Sequence, residues 1–222
     1  RPLTEECPKP LIEVAGKPIL EHLIIALESQ GFKKIIISVN YKSEMIEQYF
    51  ETGDKWDVSI EYLKETTRLG TAGSLSLIPE LPDSPLLVLN GDVLTKTNFK
   101  ALVQFHRENE SDITVAITEM TYQVPYGVVS IDHHRLLSVN EKPKQKFFVN
   151  AGIYVISPEL TELIPHNSYF DMTELVELAQ EDSHVTVFPI HEYWRDVGEK
   201  ASYERAQTEV GLESTHKKTP ES

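Results

Sequence analysis

The chain has 222 residues, 40% apolar and 25% charged, with a formal net charge of −14. The length suits one large domain, and the acidic balance argues against a nucleic-acid footprint, which needs a basic face. No apolar run reaches the ~18 residues of a membrane span, and a single cysteine, Cys7, excludes an internal disulfide framework and leaves no zinc-site spacing. A reduced, cytoplasmic setting fits that cysteine usage.

In chain order, "PILEHLIIALESQ" (18–30) has proline at a helix start, apolar residues at helical spacing and Gly31 where a left-handed cap is wanted. "KKIIISVN" (33–40) is a short β-branched run, the mark of a buried strand. A helix is predicted over 43–50, an alternating strand over 58–63, a short helix over 71–78 and a second buried strand in "SPLLVLNGD" (84–92). Residues 98–109 read as a helix and "DITVAIT" (112–118) as a strand. Three strand-like runs with short turns follow, "YGVVSID", "RLLSVNEKP" and "KFFVNAGIYVIS". Helices are predicted again at 158–164 and 172–180, then the strand "VTVFPI", then a helix at 200–208. The polar stretch 210–222 is expected to be a mobile tail.

Strands alternating with helices predict an α/β fold with a mostly parallel, Rossmann-like sheet flanked by helices. The strand-rich stretch from about 120 to 156 predicts a small antiparallel lobe, all within one domain spanning 1–209. In open α/β sheets ligands sit at the carboxyl ends of strands, which directs attention to Asn90–Gly91–Asp92.

Asp92 alone is either a turn-capping side chain or a carboxylate aimed into a cleft and suited to a hard cation. Asp196 in "YWRDVG" is a candidate second carboxylate, or simply a helix-start residue. "RLGTAGSL" sets Gly70, Thr71 and Gly73 at a helix start whose amides suit a phosphate or a base edge; the plainer reading is a threonine cap. "NEKPKQKFFVNAGIY" offers Glu141, Lys142 and Asn150 to sugar hydroxyls and a phosphate, or forms a solvated hairpin. The eight histidines read as surface residues, and Cys7, beside Lys9, as incidental.

The tags "RPLT…PKP…GKP", "LGTAG", "NGD", "YGVV", "EKP", "NAGIY" and "WRDVG" occur in the order found in the sugar-1-phosphate nucleotidyltransferases, and this chain resembles that family from residue 1 to about 208. The resemblance implies a nucleotide-binding sheet with a sugar-binding lobe. It also implies transfer of a nucleotidyl group from an NTP to a sugar 1-phosphate with Mg²⁺, releasing pyrophosphate. Carried over motif by motif, Lys9 resembles the lysine on the NTP phosphates, and Gly70, Thr71 and Gly73 the base-contacting turn. Asp92 and Asp196 resemble the Mg²⁺ ligands, Gly127, Glu141 and Asn150 the sugar contacts, and Lys142 the lysine on the sugar phosphate. The "LGTAG" turn and the stretch 170–198 resemble guanylyltransferases of the mannose-1-phosphate type more than the thymidylyl branch, so GTP is the expected nucleotide. A homo-oligomer is compatible with the resemblance.

The residue types suit that chemistry. A sugar phosphate has a second pKa of about 6 and is already an anionic nucleophile at neutral pH, so positioning and charge neutralisation replace a general base. The family's Gly-Gly-x-Gly-Thr-Arg-Leu signature precedes "xPLT", and Arg1 holds its x position. The chain is therefore expected to be N-terminally truncated relative to the family and weak or inactive as it stands. The alternative is a non-catalytic sugar-nucleotide-binding subunit. A nicotinamide oxidoreductase is disfavoured, because no Gly-x-Gly-x-x-Gly follows a strand.

Overall fold

The computed structural model describes residues 7–198 and 202–209. Residues 1–6, the first residues of the helix expected at 200–208 and the expected tail 210–222 lie outside the described residues.

A short 3₁₀ turn at Lys9–Leu11 leads into a small hairpin, β1 (Glu13–Val14) and β2 (Lys17–Pro18), which the sequence reading missed. Helix α1 (Ile19–Ser29) follows, and Gly31 closes it with a φ of 84°. Strand β3 (Lys34–Val39), helix α2 (Ser43–Phe50) and β4 (Ser59–Lys64) form a βαβ unit whose strands pair in parallel. Ile24, Ile37, Ile46, Phe50 and Ile60 pack together beneath it. The helix expected at 71–78 is a single 3₁₀ element, Gly73–Leu77. It lies between Gly70, at φ 80°, and Pro79, which forces Ile78 to an extended ψ of 118°.

Strand β5 (Leu86–Leu89) ends sooner than expected, and after a turn the chain makes β6 (Val93–Thr95), another element the pattern did not reveal. Helix α3 (Phe99–Glu108) is capped by the Asn98 side chain, which accepts from the Ala101 amide at 3.0 Å. Then come β7 (Ile113–Gln123), β8 (Gly127–Asp132), β9 (Arg135–Glu141) and β10 (Lys144–Ile156). Pro158–Leu163 forms a 3₁₀ helix within the span 158–164 that the sequence predicts to be helical. Helix α4 (Met172–Asp182), β11 (Val185–Ile190) and β12 (Trp194–Asp196) follow, and residues 202–209 are helical.

The main sheet has the order β11-β7-β10-β5. β11 and β7 are parallel, and β10 runs antiparallel to both β7 and β5, so β5, β7 and β11 share one direction. Alternate side chains of β10 go to opposite faces. Ile153 and Val155 meet Phe99 and Leu102 of α3, whereas Tyr154 and Ile156 meet Met172 and Leu175 of α4. That places a layer of helices on each face, the α/β architecture the alternation implies. The distal halves of β7 and β10, together with the β8–β9 hairpin, form the antiparallel lobe, in which every residue of β8 and β9 is exposed.

Candidate active site

Three segments converge just past β5. Asn90 continues the sheet ladder, giving its amide to the Gly152 carbonyl at 2.8 Å, and the chain then turns through Gly91 to Asp92. Strand β12 lies antiparallel to β6 with Asp196 opposite Val93, and the Val197 amide donates to the Asp92 carbonyl at 3.0 Å. The two carboxylates therefore occupy neighbouring positions on paired backbones. The Lys9–Pro10 turn covers them from the third side. Pro10 comes within 3.9 Å of the position a Gly91 Cβ would take, and the Lys9 ammonium pairs with Asp92.

Gly198 completes the arrangement, and sequence reading gave it no role. A Cβ there would stand 2.8 Å from Asp196 Oδ1 and 3.4 Å from Lys9 Nζ, so its hydrogen leaves a small polar cradle between carboxylate and ammonium. Its amide donates to Asp196 Oδ1 at 2.6 Å. Lys9 and Asp92 are partly solvated, with side chains 33% and 24% exposed. Two aspartates beside this cradle give a hard-oxygen donor pair suited to Mg²⁺, which keeps waters and takes its remaining ligands from substrate phosphates. No cluster of three or more His, Cys, Asp or Glu side chains placed to hold a metal occurs among the described residues.

The Gly70–Gly73 turn is built differently from the expectation of free amides. Thr71 donates its amide and hydroxyl to Asp171 Oδ1 at 2.9 and 3.0 Å, and its hydroxyl oxygen accepts from the Met172 amide at 2.8 Å. The Ala72 and Gly73 amides both donate to the Phe170 carbonyl, at 2.9 and 3.0 Å. Glycine is required here on two counts. Gly70 is left-handed with its missing Cβ 2.6 Å from Phe170 O, and a Gly73 Cβ would collide with the Ser168 carbonyl. Asp171, an unremarked residue of the sequence, is thus the side chain that shapes this turn.

In the lobe, Gly127 stands opposite Glu141 across β8 and β9, its missing Cβ 3.0 Å from Glu141 Oε2. Lys142 follows β9 in a left-handed conformation, φ 47°, and its amide donates to the Tyr126 carbonyl at 3.3 Å. Among the described residues no hydrogen bond or ion pair joins Glu141 or Lys142 to the Lys9–Asp92–Asp196 group. Asn150 lies at the root of the lobe, where the β7–β10 register shifts between Asn150 and Tyr154. Its Oδ1 accepts from the Gly152 amide at 2.9 Å and its Nδ2 donates to the Tyr154 hydroxyl at 2.7 Å. Burial pushes the Tyr154 phenol up, outweighing the opposite effect of the Asn150 bond. Burial likewise raises the Cys7 thiol, in keeping with an incidental role.

Beyond the end of β5 an α/β sheet thus gathers Lys9, Asp92 and Asp196, where open α/β sheets place their ligands, with a separate antiparallel lobe. The chain belongs to the nucleotidyl transferase family, whose sequence profile matches residues 1–212. It is 35% identical over 230 residues to a mannose-1-phosphate guanyltransferase of Yarrowia lipolytica, covering all of this chain and 63% of that protein. It is also 35% identical over 211 residues to the mannose-1-phosphate guanylyltransferase catalytic subunit beta of Drosophila pseudoobscura pseudoobscura, covering 91% of this chain and 57% of that one. The chain thus spans 63% and 57% of the length of these two relatives. Among solved structures, HddC from Yersinia pseudotuberculosis complexed with GMP-PN superimposes with a TM-score of 0.71 at 27% identity, covering 91% of this chain and 90% of that one. No helix among the described residues is long and apolar enough to cross a membrane.

Proposed function

We propose that this chain is the nucleotidyltransferase domain, spanning residues 1–209, of an enzyme that transfers GMP from GTP to a sugar 1-phosphate, with mannose 1-phosphate the first candidate. The products are a GDP-sugar and pyrophosphate. The observation that carries the reading is the convergence of Lys9, Asp92 and Asp196 around the cradle at Gly198. The names of the relatives support the choice of guanine nucleotide and mannose.

In this reading the sugar phosphate supplies the nucleophilic oxygen, which attacks the α-phosphorus of GTP as the bond to the pyrophosphate oxygen breaks. Asp92 and Asp196 would hold Mg²⁺, which when bound neutralises charge on the α-phosphate. Lys9 exchanges its Asp92 partner for the triphosphate and neutralises the departing pyrophosphate. Gly70, Thr71 and Gly73 form the floor under the base. Gly127, Glu141 and Asn150 face the sugar, and Lys142 receives its phosphate. Assembly into a homo-oligomer and residence in the cytoplasm belong to the same proposal.

The test is Mg²⁺-dependent pyrophosphate release, run with four NTPs and several sugar 1-phosphates on this chain and on one extended by the family's glycine-rich signature. Release with GTP and mannose 1-phosphate, abolished by Asp92→Ala, is the expected result. GDP-mannose binding without turnover in either form would replace the enzyme with a non-catalytic binding subunit.

A further inference from the structure

The two carboxylates hang from a single irregular point in β10. Asn90 donates its amide to Gly152 O at 2.8 Å, and Asp92 follows two residues later. Trp194 donates its indole N–H to Ala151 O, also at 2.8 Å, and Asp196 follows two residues later. Ala151 and Gly152 lie inside the stretch where the β7–β10 register shifts, between Asn150 and Tyr154. The Gly152 carbonyl continues the β5 ladder, whereas Ala151 has no β7 partner across the register shift and its carbonyl goes to Trp194. In a regular central strand the carbonyls are used by the neighbouring ladders, whereas a bulge turns some of them aside.

The bulge is held in shape from within. Gly152 adopts φ 67°, open to glycine with little strain, and a Cβ there would lie 2.5 Å from the Asn90 side chain. Asn150 braces the bulge at its middle and its far end, accepting from the Gly152 amide and donating to the Tyr154 hydroxyl. One three-residue stretch therefore joins Asn150, at the root of the lobe, to the backbones that carry Asp92 and Asp196.

We propose that the Asn150–Tyr154 bulge sets the spacing of the two metal-binding carboxylates, and that Trp194 is a positioning residue acting through its indole N–H on Ala151. This rests on the reading of Asp92 and Asp196 as a Mg²⁺ pair. Trp194 touches no substrate in this role. It fixes where β12, and hence Asp196, lies relative to Asp92.

The experiment is a Mn²⁺ titration of the whole chain, followed by the loss of the free-ion EPR signal, on wild type, Trp194→Phe and Asp92→Ala. Thermal melting is recorded for each. Phenylalanine keeps an aromatic ring in the partly buried position and deletes only the donor. The expected result is about a tenfold weaker Mn²⁺ affinity for Trp194→Phe with a native-like melt. In a form that turns over, kcat falls and KM for the sugar phosphate is unchanged. Loss of binding in Asp92→Ala alone, with Trp194→Phe binding like wild type, overturns the positioning role and leaves the metal pair standing. Unaltered binding in Asp92→Ala removes the metal pair itself. If Trp194→Phe fails to fold, 3-benzothienylalanine incorporated in a Trp56→Phe background replaces the N–H by sulfur without loss of ring area. The same tenfold loss is then required relative to that background.

Discussion

Thr71 gives both its backbone N–H and its hydroxyl to one oxygen of Asp171, a residue 100 positions later. The Tyr169 hydroxyl, followed by the Thr71 amide, holds the Asp171 carboxyl below the usual carboxylate range. Asp171 also caps α4, in a capping box with Glu174. Asp171→Ala removes the cap and releases the Gly70–Gly73 turn together. We expect a loss of about 1–2 kcal/mol, read as a Tm lower by about 4 °C. KM for the nucleotide should rise. The carboxylate's contribution is present above the unfolded aspartate pKa of about 4 and is lost as pH falls through its lower folded value. A melt and a KM both equal to wild type would show that the turn holds itself.

His106 corrects the reading of all histidines as surface residues: it is 2% exposed, with Nδ1 3.0 Å from Thr114 Oγ1. Thr114 Oγ1 in turn lies 2.9 Å from Thr186 Oγ1, which lies 2.8 Å from Ser111 Oγ. Burial pushes the imidazole pKa down, outweighing the attraction of Asp112. The unfolded chain then binds a proton at higher pH than the folded one. Stability from this site is complete above about pH 6.5 and declines as pH falls toward the folded value. Urea midpoints should drop between pH 7 and 5.5, and His106→Gln should flatten that slope. An identical slope in the variant would assign the acid sensitivity elsewhere.

Lys9→Met removes the ammonium beside Asp92 and Gly198 while keeping much of the side chain's bulk. Under the proposed mechanism, kcat should fall about 10²-fold or more, the scale for one lost electrostatic contact to developing charge. The fold should survive, because the pair is partly solvated. Pyrophosphate release in the extended form measures it, and near-normal turnover would remove Lys9 from the triphosphate.

Tyr49→Phe probes the wedge under α1. Glu21 is 5% exposed and accepts from the Tyr49 hydroxyl at 2.6 Å. Burial opposes its charge, yet bonds from Tyr49 and Trp56 and the charges of Lys55 and Lys17 hold its pKa below the usual range. The same bond raises the Tyr49 phenol to about 12. Without the hydroxyl, we expect about 1–3 kcal/mol of destabilisation at pH 7, where Glu21 is ionised. That loss should shrink as pH falls through the lowered folded pKa of Glu21. Denaturant midpoints above and below that pKa decide it.

The strands β3, β5, β7 and β11 and the helices α1 to α4 were legible because each carries its own continuous run or helical period of apolar residues. The elements that escaped are short. β1, β2, β6 and β12 run only two or three residues, too few for any period to appear. The 71–78 and 158–164 segments looked helical by composition, but each is a single short 3₁₀ element, Gly73–Leu77 and Pro158–Leu163. Through its tags the sequence singles out Lys9, Asp92 and Asp196, which the fold brings together as a candidate site. Gly198, Asp171 and Trp194 are not singled out, since their roles consist in what lies opposite them.

The sequence by itself determined the layered α/β plan, the antiparallel interruption and the residue types able to handle phosphate, because burial periodicity and side-chain chemistry are local properties. Only the tertiary structure decided which of those residues meet. Lys9 reaches Asp92 across 83 positions, and β12 crosses the fold to set Asp196 beside it. The amides of Thr71, Ala72 and Gly73 are spent on Phe170 and Asp171. Such pairings depend on which hydrogen-bonding groups packing leaves opposite one another, and no periodicity along the chain carries that information.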